Sequence, residues 1–86
     1  MNKSDIKIIE LIEILKSLGM VKDLSDFCDG MYLVRQNVYR IKNGLAHFTV
    51  QHVDEICKKY NVNANWIFGT QENIFNHPER SLKRVV

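Results

Sequence analysis

The amino-acid sequence predicts an all-α protein built from five short helices. The chain has 86 residues, which favours one domain with a small core. Its single proline, Pro78, leaves residues 1–77 free of the residue that breaks helices. Apolar residues recur at helical spacing in several segments, and no segment shows a convincing strand pattern. Residues that cap helices stand at the ends of these segments, and together the three observations predict the fold class.

The first predicted helix spans residues 5–18. Ser4 is suited to cap its start, and Asp5 lies where the positive end of the helix dipole favours an acid. Gly19 can take the left-handed conformation that ends a helix. One apolar face follows the helical spacing and comprises Ile8, Leu11, Ile12, Leu15 and Leu18.

Two shorter helices are predicted in the middle of the chain. Asp23 is a good N-cap for a helix over residues 24–31. The next helix spans residues 34–43 and ends at Asn43 and Gly44, which form a strong helix-stop signal. Its apolar residues fall on one side, which we expect to face inward: Val34, Val38, Ile41 and Leu45.

The last two predicted helices span residues 50–60 and 64–68. Thr49 is a good N-cap for the first of them. Asn63 caps the second, and Gly69 ends it. All connections between the five helices are short.

Positive charge is concentrated in the middle of the chain. The formal net charge is only +2, and residues 1–29 and 54–79 are each net negative. Residues 30–53 contain no acid and three basic residues, Arg35, Arg40 and Lys42. An acid-free basic window is a footprint expected for phosphate binding, and chance clustering of three charges is the alternative interpretation.

The composition predicts a simple organisation and location. We expect one folded domain over residues 1–76 and a flexible basic tail over residues 77–86. No apolar run approaches the roughly 20 residues that a membrane span needs. The first residues do not form a signal peptide, and two cysteines are too few for a disulfide scaffold. The sequence therefore predicts a cytoplasmic protein without a membrane segment.

The third predicted helix presents polar side chains opposite its apolar residues. At about 100° per residue, Gln36, Arg40 and Asn43 point away from the apolar side, and Arg35 and Tyr39 flank them. Long hydrogen-bonding side chains without an acid have the chemistry of a helix that reads DNA. An ordinary solvated helix face is the alternative.

Two regions of the sequence resemble the phage-repressor-like family, also called Xre-type or lambda-repressor-like. Residues 24–43, followed by Gly44, resemble its helix-turn-helix, and IKNG at residues 41–44 is similar to the usual end of the recognition helix. Residues 48–69, FTVQHVDEICKKYNVNANWIFG, resemble its fourth and fifth helices. The resemblance covers residues 6–69 and implies a compact five-helix DNA-binding domain whose helix-turn-helix consists of helices 2 and 3.

Individual positions both match the family pattern and depart from it. Cys28 stands where the family usually has a small alanine, and Val38 and Ile41 stand at its two buried aliphatic positions. Tyr32 stands where the family often has a glycine with a positive φ angle, so we expect the turn to be remodelled. Leu24 replaces a polar residue that often touches phosphate in relatives.

The resemblance also implies roles for the exposed residues of helix 3. It assigns base contacts to Arg35, Gln36 and Arg40, since Arg can donate two hydrogen bonds to guanine and Gln can pair with adenine. It assigns phosphate contacts to Tyr39, Lys42, Asn43 and the Gly44 backbone. The implied function is sequence-specific binding of double-stranded DNA by a transcriptional regulator, in the simplest case a repressor, acting as a homodimer.

A homodimer needs an apolar patch that the monomer leaves uncovered. The candidates all lie near the end of the predicted domain and are Trp66, Ile67, Phe68, Ile74 and Phe75. The alternative is that these residues simply close the core of the monomer.

Other functional classes have less support in the sequence. An antitoxin-like or adaptor module that binds a protein with the same fold is the alternative to a DNA-binding regulator. No Ser-His-Asp arrangement, glycine-rich phosphate loop or carboxylate pair stands out, so no catalytic site is predicted. The spacing of Cys28, Cys57 and the three histidines fits no standard zinc site. No metal, cofactor or small-molecule ligand is predicted.

Overall fold

A computed structural model describes residues 1–76 of the protein. These residues form five helices: α1 (Lys3–Ser17), α2 (Leu24–Asp29), α3 (Arg35–Lys42), α4 (Val50–Tyr60) and α5 (Ala64–Ile67). Over the same range there is no strand beyond an isolated antiparallel bridge between Val62 and Phe75. The predicted all-α class is therefore confirmed for this part of the chain, and the predicted basic tail lies outside it.

One apolar core lies between the helices. Helix α1 packs against α3 and α5, α2 packs against α3, and α4 packs against α5. The rings of Phe27 and Tyr60 stack with centroids 6.1 Å apart and so connect α2 with α4. The side chains that lose all contact with solvent include Ile8, Leu11, Leu15, Phe27, Val38, Ile56, Val62 and Ile67. Burial of this apolar surface is the main force that holds the short helices together.

The N-caps predicted for three helices are confirmed. The side chains of Asp23, Thr49 and Asn63 each accept a hydrogen bond from a backbone N–H in the first turn of α2, α4 and α5, respectively. Helix α1 differs, because Asn2 and not Ser4 is its cap. The Asn2 side chain accepts from the Asp5 N–H (2.9 Å), and the Asp5 carboxylate accepts from the Asn2 N–H (3.3 Å). This reciprocal capping box starts the helix two residues earlier than predicted.

The carboxylate of Asp5 is fully buried and connects α1 to the loop between α3 and α4. Its Oδ1 accepts a hydrogen bond from the Phe48 N–H (3.0 Å), and its Oδ2 lies 2.6 Å from Nδ1 of His47. An ionised carboxylate can only accept, so the proton of this second bond is on His47 Nδ1. The contact fixes residues 47 and 48, which follow the C-terminal end of α3.

These hydrogen bonds predict that acid destabilises the fold. Burial raises the pKa of Asp5, but the hydrogen bonds from His47, Phe48 and Asn2 outweigh burial and hold the pKa below its ordinary value of 3.8. Because the folded pKa is the lower one, the stabilisation is complete above about pH 5 and is lost as the pH falls through the folded pKa. Urea midpoints measured from pH 7 to pH 2.5 should show this loss. The variant Asp5→Asn should show a flatter profile over the same range, and an equally steep profile would contradict the assignment.

Candidate nucleic-acid interface

Two buried side chains orient helix α3. Val38 and Ile41 are almost completely buried, and the helix packs against α1 and α2. The helix ends at Asn43, and Gly44 follows with φ of +77°, a left-handed conformation that glycine adopts without strain. The two buried residues fix which side of this two-turn helix meets solvent.

The solvent-facing side of α3 and the two residues that end the helix carry all seven of the residues predicted to contact DNA. Every one of them is exposed: Arg35, Gln36, Tyr39, Arg40, Lys42, Asn43 and Gly44. Gln36 and Arg40 are one turn apart, so their side chains lie on the same face. The structure therefore brings the predicted residues together in one surface, which we call the α3 face.

Grooves border the α3 face on two sides. One groove, with a volume of about 230 Å³, lies between α1 and α3, and its lining includes Tyr39 and Lys42. The Lys42 ammonium lies 5.8 Å from the centroid of the Tyr39 ring. The other groove, of about 380 Å³, lies between α2 and the start of α3, and its lining includes Arg35 and Gln36. Basic side chains thus stand at the edges of both grooves.

Acidic residues near the α3 face come from the neighbouring helices. Residues 30–53 contain no Asp or Glu. Glu13 of α1 lines the first groove and pairs with Lys16 at 3.5 Å, and Asp29 of α2 lines the second. The positive charge of the α3 face is therefore carried by the helix itself, at Arg35, Arg40 and Lys42.

The turn between α2 and α3 keeps a left-handed residue at Tyr32, where φ is +52°. The Cys28 carbonyl accepts hydrogen bonds from the N–H groups of Met31 and Leu33, both at 3.0 Å. The expectation that Tyr32 would remodel the turn is therefore wrong: the tyrosine takes the conformation that glycine would favour. Asp26 is exposed and accepts a hydrogen bond from the Lys22 N–H, so no carboxylate is buried at the turn.

Two apolar residues predicted to face inward are instead exposed. Val34 is the N-cap of α3, and Leu45 lies beyond its last turn. The two side chains remain 58% and 66% exposed, respectively, because neither position is covered by a neighbouring helix. Only the two central positions of the predicted stripe, Val38 and Ile41, reach the core.

The five residues predicted for a dimer interface separate into two groups. Trp66 and Ile67 are buried in the monomer, so they offer no free surface, and the Lys7 ammonium lies 4.7 Å from the Trp66 ring centroid. Ile74 and Phe75 are half-buried against the core, and Phe68 is exposed. Trp66 and Ile67 therefore close the core of the monomer, which is the alternative that the sequence left open.

The cysteines lie on the inner sides of their helices. Burial raises the pKa of the Cys28 thiol and of the Cys57 thiol, which disfavours the reactive thiolate at neutral pH. Within residues 1–76, no three His, Cys, Asp or Glu side chains are grouped so that they could hold a metal ion. None of the helices in that range is both long and apolar enough to cross a bilayer.

Comparison of the chain with protein-family models, with curated proteins and with solved structures found no match. The functional interpretation therefore depends on the residues of the α3 face and on the helices that position them.

Proposed function

We propose that this protein is a sequence-specific DNA-binding regulator of transcription. In this proposal α2 and α3 form a helix-turn-helix, and the α3 face enters the major groove of double-stranded DNA. The observation that carries the proposal is the α3 face itself, in which six polar or basic residues and Gly44 are exposed on one helix and the two residues that end it, without an acid among them. A surface of this kind can meet both the negative charge of the backbone and the hydrogen-bonding groups of the base edges.

Base reading is assigned to Arg35, Gln36 and Arg40. Each guanidinium can donate two hydrogen bonds to O6 and N7 of guanine, and the Gln36 amide can pair with N6 and N7 of adenine. All three side chains are exposed, and none takes part in a hydrogen bond within the part of the chain that the structure describes. Their donors are therefore available to DNA without the loss of an internal contact.

Backbone contacts are assigned to residues at the sides and end of α3. Tyr39 and Lys42 border the groove toward α1, and Asn43 and Gly44 stand at the C-terminal cap. Hydroxyl, ammonium, amide and backbone N–H groups all bind phosphate oxygens, and such contacts set the position of the helix without reading sequence.

A homodimer completes the proposal, because two copies of a short recognition helix can read two half-sites about one helical turn apart. Phe68, with the partly exposed Ile74 and Phe75, is the apolar surface that we assign to the contact. Occupation of the target site by the dimer is the simplest route to repression.

Selection of binding sites from a random pool of duplex DNA tests this proposal. The purified protein is used at about 150 mM salt, where attraction to phosphate alone is weakened. We expect enrichment of a palindrome with half-sites about 10 base pairs apart. A folded protein that enriches no sequence would contradict the proposal and favour the antitoxin-like or adaptor function.

A further inference from the structure

Tyr32 combines two features that are unusual for a large aromatic residue. Its φ angle of +52° lies in the left-handed region, which residues other than glycine and asparagine rarely adopt. Its side chain is 97% exposed, more than any other large apolar or aromatic residue among those that the structure describes. The tyrosine side chain therefore strains the backbone at this position, and it gains no burial in return.

The Tyr32 side chain makes no contact that stabilises the monomer. The turn is held by the hydrogen bonds from the Met31 and Leu33 N–H groups to the Cys28 carbonyl and by the burial of Met31 and Leu33, and these need no side chain at residue 32. Within residues 1–76 the hydroxyl has no hydrogen bond and the ring has no aromatic partner. Glycine would therefore serve the fold better than tyrosine.

The ring stands at the N-terminal end of the α3 face. Leu33 is buried, and the residues on either side of it, Tyr32 and Val34, are exposed. Arg35 and Gln36, the first base-reading residues of the proposed function, follow directly. A molecule that covers the first turn of α3 would therefore also contact Tyr32, which lies in the turn between α2 and α3.

We propose that Tyr32 contacts the sugar–phosphate backbone of DNA beside the bases that Arg35 and Gln36 read. The phenolic O–H donates a hydrogen bond to a phosphate oxygen, and the ring lies along the adjacent sugar. Strained residues persist where function requires them, and here the strain presents a donor that glycine lacks. The inference rests on the proposed function, because it requires that the α3 face meets DNA.

The charge around Tyr32 favours DNA over a protein partner. Residues 29–53 contain three basic residues and one acid, Asp29 at the end of α2, and a surface with this net positive charge attracts a polyanion. A symmetric contact between two copies through this same surface would place positive charges against each other, which is unfavourable.

The test compares three variants of the full chain on the selected duplex and on a duplex of unrelated sequence. Tyr32→Gly removes the ring and relieves the left-handed strain, Tyr32→Phe removes only the hydroxyl, and Asn61→Gly is the matched control. Asn61 is the other non-glycine residue with a positive φ, +56°, and it caps α4 away from α3. Thermal midpoints and dissociation constants are measured for each variant.

Tyr32→Gly should raise the thermal midpoint by about 4 °C and still weaken binding about tenfold. The loss should be similar on both duplexes, because a phosphate contact reads no sequence. Tyr32→Phe should bind both duplexes about fivefold more weakly than the unaltered protein, since only the hydrogen bond to the charged phosphate is removed. Asn61→Gly should bind both duplexes like the unaltered protein.

Three outcomes would overturn the inference. If Tyr32→Gly binds both duplexes as tightly as the unaltered protein does, Tyr32 has no role in DNA binding, although the proposed function survives. If Tyr32→Gly changes the sedimentation of the free protein and not its DNA affinity, the contact is with a second copy. If the unaltered protein binds neither duplex, the proposed function itself fails and the inference fails with it.

Discussion

Replacement of Arg40 by alanine should weaken binding to the selected DNA site by about 5- to 150-fold, because one bidentate contact to guanine is worth about 1–3 kcal/mol of discrimination. The guanidinium is on the exposed side of α3, opposite the buried Val38 and Ile41, so its removal leaves the core intact. The thermal midpoint should therefore stay within about 2 °C of that of the unaltered protein. Fluorescence anisotropy and thermal denaturation measure the two quantities.

The matched control for charge is Lys58→Ala. Lys58 of α4 also carries one positive charge, and its side chain is 75% exposed in a pair with Asp54. Removal of this charge away from α3 should change the affinity for DNA only slightly.

Arg40→Ala should also lose its preference at one base pair of the site. Loss of a phosphate contact would instead lower the affinity for all sequences equally. If Arg40→Ala and Lys58→Ala bind the selected site equally well, the assignment of Arg40 to base reading is wrong.

Replacement of Asp5 by alanine should lower the free energy of unfolding by about 2–4 kcal/mol, because a buried acceptor is lost and its donors are left unpaired. The Phe48 N–H would lose its partner in a buried site, and the His47 ring would lose its anchor at 2.6 Å. The α1 capping box would be lost as well. For a domain of this size the expected fall in the thermal midpoint is about 8 °C or more.

The control for Asp5→Ala is removal of an exposed carboxylate. Asp54 is 56% exposed and pairs with Lys58 at 2.9 Å, and such surface pairs contribute about 0–1 kcal/mol. Urea denaturation at pH 7 should separate the two variants clearly. If Asp5→Ala lowers the free energy of unfolding as little as Asp54→Ala does, the loop after α3 is held by other contacts.

Local signals in the sequence were enough to predict most of the fold. Caps at Asp23, Thr49 and Asn63 act over two or three residues, so the starts of α2, α4 and α5 could be read from the sequence. The periodic pattern of α3 also predicted its exposed side, because helix geometry alone relates Val38 and Ile41 to the residues opposite them. The same reasoning failed at Val34 and Leu45, since both lie outside the regular turns.

Long-range contacts explain what the sequence could not predict. Asp5 looked like a residue that only favours a helix dipole, yet its partners His47 and Phe48 are more than 40 positions away. Trp66 and Ile67 could have covered either the monomer core or a second copy, and only the packing of α5 on α1 decides between them. An Asn–x–x–Asp pattern at residues 2–5 was the one local signal that could have placed the α1 cap correctly.

The most direct test of DNA recognition by α3 is an amide chemical-shift map of the isotope-labelled protein titrated with the selected duplex. We predict that the largest changes fall at residues 32–44, with the side-chain signals of Arg35, Gln36 and Arg40 among them. The largest changes on another surface, with residues 32–44 unaffected, would contradict recognition by α3.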